Sequence, residues 1–380
     1  FVYDGQPETI VIPKGMSYQV VPVVTLADHY CDDVASGVAM NNVSIALSYK
    51  TVASIATIPA LRAAVEAGLA SRIPLGKEVS FTHASEGELT FEVVNYNPVD
   101  ESLELLAKNT LNTQKQFDTP EALYRPTTQM AAGDYSFVNG STTYYFTLTQ
   151  PIPANGHLRA TTSAFQTYQD AYHTEPIETG VVSSTAIAGA TSIGTAGQGL
   201  LNHMDRVNYG SNDYGESNIA AWLMASGAGE AWWSPKTMFD RPPSFISDAG
   251  FLAGVPQAVL DALDTASIVT GVNTTYVAPD SGHTKGMTYT MQAKFFLPTQ
   301  NNLFGQSDIA DGTRQYGRYV GVADAQRIKK YNGSARAWWL RSPYSGANVV
   351  RYVGSNGSSN YYGADHSDAV VPACRITKSV

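Results

Sequence analysis

Cysteine is almost absent from this chain of 380 residues: Cys31 and Cys374 stand near opposite ends, with no partner at ligand spacing. That excludes a zinc ribbon and a disulfide framework, and both are expected to be buried free thiols. Charge is scarce as well, at 15% of residues, and unbalanced, with 24 basic against 33 acidic side chains and a formal net charge of -9. A chain this acidic, without a Lys/Arg-rich run, lacks the basic face that nucleic acid or an anionic membrane requires. No apolar run approaches the roughly 18 residues of a membrane span, so no membrane insertion is expected. Phe1 opens the sequence without the basic n-region or cleavage pattern of a leader.

The marks of catalysis are missing too. No G-x-S-x-G nucleophile elbow occurs, and "SIGTAGQGLL" (192–201) lacks both the Lys-Ser/Thr pair of a phosphate loop and the G-x-G-x-x-G order. Asp261 and Asp264 fall on an expected surface helix, where solvation explains them better than glycosidase chemistry does. Asp365, His366 and Asp368 sit close together but without the helical or hairpin spacing of metal ligands. No catalytic residue, no cofactor and no metal ligand is therefore expected.

What the chain does have is 43% hydrophobic residues, length enough for two or three domains, and a strongly patterned order. Alternation in "VSIALSY" (43–49) and a helical period in "PALRAAVEAGLA" (59–70), with Leu61, Val65 and Leu69 on one face, describe a small α+β lead domain over 1–75. "ELTFEVVNYN" (88–97) alternates as a half-buried strand, and "DESLELLAKN" (100–109) is expected to be a short helix capped by Asp100. Residues 130–200 are rich in Thr, Ser, Tyr and Gly and read as β-strands. Two short helices follow, "SNIAAWLMAS" (217–226) capped by Ser217 and "PQAVLDALD" (256–264). All five tryptophans fall between Trp222 and Trp339 and are expected to anchor one core.

The stretch "VRYVGSNGSSNYYGADHSDA" (350–369) is different: almost all Tyr, Ser, Gly, Asn and Asp, set between the rigid "ARAWWLRSP" and the apolar "VVPACRI". Those are the residues with which antibody loops bind. Tyr brings a large amphipathic surface at low entropy cost, and the small polar residues adapt their hydrogen bonds.

"YNGSARAWWLRSPYSG", "VRYV" and "ADHSDAVVPACRI", with "RVNYGSNDYGESNIAAWL", "WWSPKTMFDRPPS", "GFLAG" and "KFFLP" upstream, resemble the variable proteins of diversity-generating retroelements, particularly those of gut bacteria and their phages. The resemblance implies an α+β, C-type-lectin-like fold over 76–380, with a β-rich insertion at 130–200 and a variable region at 334–376. In that family an error-prone reverse transcriptase alters template adenines, turning Asn codons into codons for Tyr, Ser, Asp, His, Gly and others. By position, the implied ligand-binding set is Ala347, Asn348, Val349, Tyr352, Gly354, Ser355, Asn356, Ser358, Ser359, Asn360, Tyr361, Tyr362, Asp365, His366 and Asp368. Trp338, Trp339, Leu340, Arg341, Ser342, Pro343, Val370, Pro372 and Ala373 would be scaffold.

The close cysteine pair of formylglycine-generating enzymes and the calcium-binding signatures of true lectins are both missing. The expected function is hypervariable binding of a protein or cell-surface ligand, without reaction, on a phage virion or bacterial surface, with homo-oligomers or virion association to add avidity. An enzyme on a related fold and a structural virion decoration protein are the alternatives.

Overall fold

The computed structural model describes residues 55–273 and 281–379. Cys31, the "VSIALSY" segment and most of the expected lead domain lie outside them. Thr57 opens helix α1 (Ile58–Glu66), accepting the Ala60 N–H on its hydroxyl, and Pro59 occupies the first turn. Its buried face, Ile58, Leu61 and Val65, packs into the same core as strands β1 (Glu78–His83), β2 (Gly87–Asn97) and β3 (Ser102–Ala107).

The segment expected as a helix from Asp100 is thus a strand. Asp100 Oδ1 instead accepts the N–H and hydroxyl of Ser102 across a turn in which Glu101 takes a φ of 51°. "SLELLA" fits either period, and burial decides between them, because β3 lies between two other strands and nearly every one of its residues is covered.

After β4 (Gln114–Gln116) the chain builds a second unit from β5 (Gly133–Asn139), β6 (Thr142–Leu148), β7 (His157–Ala160), β8 (Ala164–Tyr168), β9 (Pro176–Val181) and β10 (Thr191–Thr195). They form two three-stranded sheets, ordered β10-β5-β6 and β7-β8-β9. Their core, centred on Phe137, Phe146, Leu158 and Phe165, is separate from the main one.

The return to the main unit runs through α2 (Met204–Tyr209), α3 (Asn218–Leu223), α4 (Gln257–Ala262), the hairpin β11 (Ala266–Gly271) and β12 (Thr288–Ala293), and α5 (Gln300–Phe304). Ser217 caps α3 as its sequence predicts, and Ile219, Trp222 and Leu223 are buried. The last strands are β13 (Lys329–Tyr331), β14 (Ser334–Arg336), β15 (Trp338–Pro343), β16 (Val349–Val353), β17 (Ser359–Gly363), β18 (Ser367–Ala369) and β19 (Ala373–Ile376). β19 completes the order β1-β2-β3-β19, while the others join β4 in a five-stranded sheet ordered β17-β16-β15-β18-β4. The described protein is sheet-rich, with few and short helices. None of these helices is long and apolar enough to cross a membrane.

Candidate ligand-binding surface

β15 is the foundation of the five-stranded sheet: all six of its residues are buried. Trp338 donates its indole N–H to the Arg327 carbonyl, and Trp339 donates to the Lys115 carbonyl while meeting Phe117 edge-on at 5.7 Å. Arg341, also buried, spends its guanidinium on the carbonyls of Val269 and Leu297. The remaining expected scaffold residues, Leu340, Ser342, Pro343, Val370, Pro372 and Ala373, are buried too. Cys374 is fully buried, and burial pushes its thiol up, which keeps it protonated and unreactive.

From this base the chain turns outward through β16 to β17, the free edge of the sheet. Val350 pairs with Tyr362, Arg351 with Tyr361 and Tyr352 with Asn360. Residues directly opposite share a face and successive residues alternate, so the hairpin presents two different surfaces.

On one face Tyr361 stacks on Tyr344 with ring centroids 4.3 Å apart, and the Arg351 guanidinium lies 3.9 Å from the Tyr344 centroid. Asp308 fixes that guanidinium through two hydrogen bonds of 2.6 and 2.8 Å. Beside it opens a polar notch of about 230 Å³, lined by Gln300, Gln306, Ser307, Asp308, Arg351 and Ser359. Gln300 donates to the Ser359 hydroxyl at 3.1 Å, holding the hairpin on α5.

On the other face Tyr352 lies opposite Trp339 and contacts its ring edge-on at 6.2 Å. Tyr362 packs against His366 at 4.3 Å, and His366 Nδ1 lies 3.3 Å from Asp368 Oδ2. Burial raises the Asp365 and Asp368 carboxyls above their usual range, with His366 pulling the other way on both, and burial also raises the Tyr352 phenol.

The hairpin turn is held by Asn356, whose Oδ1 accepts the N–H and hydroxyl of Ser358, and by the Gly354 N–H donating to the Ser358 carbonyl. Gly357, at φ 86°, is pressed so close to Asp324 that an added Cβ would lie 1.9 Å from its carbonyl oxygen.

The structure therefore places most of the expected binding residues on the β16–β17 hairpin, with Ala347 and Asn348 before it and Asp365, His366 and Asp368 after it, but does not expose all of them. Ser355, Asn356, Asn360, Tyr361, Tyr362 and His366 are exposed; Val349, Tyr352, Ser358, Ser359 and Asp365 are half-buried. Ala347, Asn348, Gly354 and Asp368 are buried, against the expectation of an exposed set. Their polar sequence context hid this, since Ala347 and Asn348 lie in the loop tied down by Asn212, whose N–H donates to the Ala347 carbonyl.

Sequence reasoning missed Tyr344, Arg351, Asp308 and Gln300. Arg351 sits inside the 350–369 stretch and was readable as polar. Asp308 and Gln300 come from more than forty residues away and carry no local signal. Asp365, His366 and Asp368 do not converge as a three-ligand set, and Asp264 pairs with Arg62 at 2.7 Å instead of with Asp261.

Residues 190–378, from the edge of β10 to beyond β19, match the model of a domain of unknown function, DUF6273. No curated protein and no solved structure matches the chain.

Proposed function

We propose that this chain is a ligand-binding display protein of the kind diversified by retroelements, with a C-type-lectin-like scaffold and a C-terminal hairpin as its working surface. The observation that carries the reading is the contrast between two strands of one sheet: β15 is wholly buried, while β17, two strands away, leaves Tyr361 and Tyr362 about half exposed. A leucine or valine edge would demand a cover, whereas two tyrosines flanked by Ser, Asn and His offer apolar area together with hydrogen-bond partners.

The exposed positions can change residue at little cost, since surface substitutions away from packing shift stability by about 0.5 kcal/mol or less. Binding energy would concentrate on the aromatic anchors, with Tyr344, Arg351 and Tyr361 as one cluster and Tyr352, Tyr362 and His366 as another. The partner is a protein or cell-surface ligand, met at a virion or bacterial surface, and the binding involves no reaction.

The test is in the surrounding DNA. A near-identical repeat of the segment encoding 344–369, differing mainly at adenines and lying near a reverse transcriptase gene, supports the proposal. A repeat with differences spread evenly over the four bases, or no repeat, contradicts it.

A further inference from the structure

The loop between α2 and α3 and the approach to β12 hold a cluster that the display surface does not use. Asp213, Glu216 and His283 converge so that one ligand atom from each lies within 4.8 Å of the others. Asp213 Oδ2 is hydrogen-bonded to His283 Nδ1 at 2.6 Å and Glu216 Oε1 lies 3.7 Å from the same nitrogen, so a bound ion would take the place of the proton these atoms share.

Each carboxylate is braced through its other oxygen. Asp213 Oδ1 accepts the Tyr289 hydroxyl and, at 3.1 Å, the Gly215 N–H, while the Tyr289 ring stacks on the His283 imidazole at 4.1 Å. Glu216 Oε2 accepts from Arg206 at 2.9 Å and from the Ser211 hydroxyl at 3.2 Å. This is the outer bracing that fixes metal ligands in place.

An independent sign comes from Glu216 Oε1. The residue is only 7% exposed, yet this oxygen has no hydrogen-bond donor and points at the imidazole. A buried carboxylate oxygen without a donor is costly, and a cation would satisfy it. Charge argues the same way: Asp118, Glu121 and Asp240 are buried close by, and the buried Arg206 is already paired with both Glu121 and Glu216.

We propose that Asp213, Glu216 and His283 bind one divalent transition-metal ion of the zinc or manganese type. One imidazole nitrogen with two carboxylate oxygens suits such an ion, whereas calcium takes six to eight oxygen ligands. The half-covered His283 leaves room for water to complete the coordination.

The ion's role would be structural. The neighbouring Asn212 donates its side-chain amide to the carbonyls of Ser345 at 3.3 Å, Gly346 at 3.4 Å and Val349 at 3.1 Å. Fixing Asp213 and Glu216 therefore fixes the loop that delivers β16.

The experiment is a zinc titration of the metal-stripped chain, followed by calorimetry and by melting temperature. One equivalent should bind and raise the melting temperature; His283→Ala should weaken binding at least ~10-fold, and His366→Ala should leave it unchanged. No binding to the wild type, equal binding to His283→Ala, loss with His366→Ala, or a preference for calcium overturns the assignment. Should His283→Ala not fold, anomalous scattering from zinc in wild-type crystals decides: a peak among the three side chains supports the site, and its absence there overturns it.

Discussion

Tyr361 and Tyr362 are neighbours in sequence but serve opposite faces of one edge strand, the first stacked on Tyr344 and the second packed at a tilt against His366. Replacing both by Ala should abolish binding to a captured ligand while costing no more than about 1.5 kcal/mol each, the scale of an aromatic contact; a loss of about 3 to 5 kcal/mol each would place them in the core. Trp339→Ala should do the reverse, costing about 3 to 5 kcal/mol in denaturant unfolding, because the fully buried indole packs on Phe117 and Tyr352. Ala347 has no exposed surface, so Ala347→Phe should cost about 1 to 3 kcal/mol by overpacking, measured in the same way.

A fourth expectation concerns pH. His157 is buried with Nδ1 3.0 Å from His173 Nε2, and the Arg241 Nε–H donates to His173 Nδ1. Burial, then the charges of Arg125 and Arg241, push the His157 imidazole down to about 4. Between the ordinary value of 6.5 and about 4 the unfolded chain binds the extra proton, so stability contributed by the neutral ring is lost as pH falls through that window. From pH 7 to pH 5 the loss is about 2 kcal/mol. Urea melts at the two pH values should show His157→Gln losing less stability than the wild type by about that amount; equal losses would mean the ring is already charged in the fold.

At the level of elements, the hairpin β16–β17 is positioned by its turn as much as by its strands. Gly357→Ala would drive a methyl group into the Asp324 carbonyl at a positive φ, so it should cost more than about 1 kcal/mol, read by thermal unfolding. The same substitution at Gly333, where φ is 81° and nothing lies within 4 Å, removes the collision and keeps the backbone strain, so the difference between the two isolates the contact.

Of the short helices, α1, α3 and α4 were legible, from the Pro59 first turn, the Ser217 cap and the apolar period of 256–264; α2 and α5, of six and five residues, are too short to show a period. The strands at 130–200 were legible from alternation, as in "TYYFTLT". β3 was not, since a strand enclosed by neighbours carries an apolar run that reads equally as a helix. The polar and aromatic composition of 350–369 was legible, yet the partition of the β16–β17 hairpin into two faces depends on register, and the Asp308 clamp on Arg351 depends on a loop distant in sequence. The Asp213, Glu216 and His283 cluster was hidden for the same reason, as His283 joins the other two across some seventy residues.

For the whole molecule, one buried guanidinium ties together segments on either side of the two three-stranded sheets: Arg206 in α2 bonds Glu121, which precedes them, and Glu216, which follows them. Under the proposed function, ligand contacts and fold stability would fall to different parts of the chain, with an exposed edge strand beside a wholly buried β15.

Deep sequencing of the gene from a natural population tests that division most directly. Dense replacement is expected at Ser355, Asn360, Tyr361, Tyr362 and His366, with Trp338, Trp339, Arg341, Val350, Val353 and Gly357 constant. Replacement spread evenly across both groups, or a hairpin as constant as β15, would contradict it.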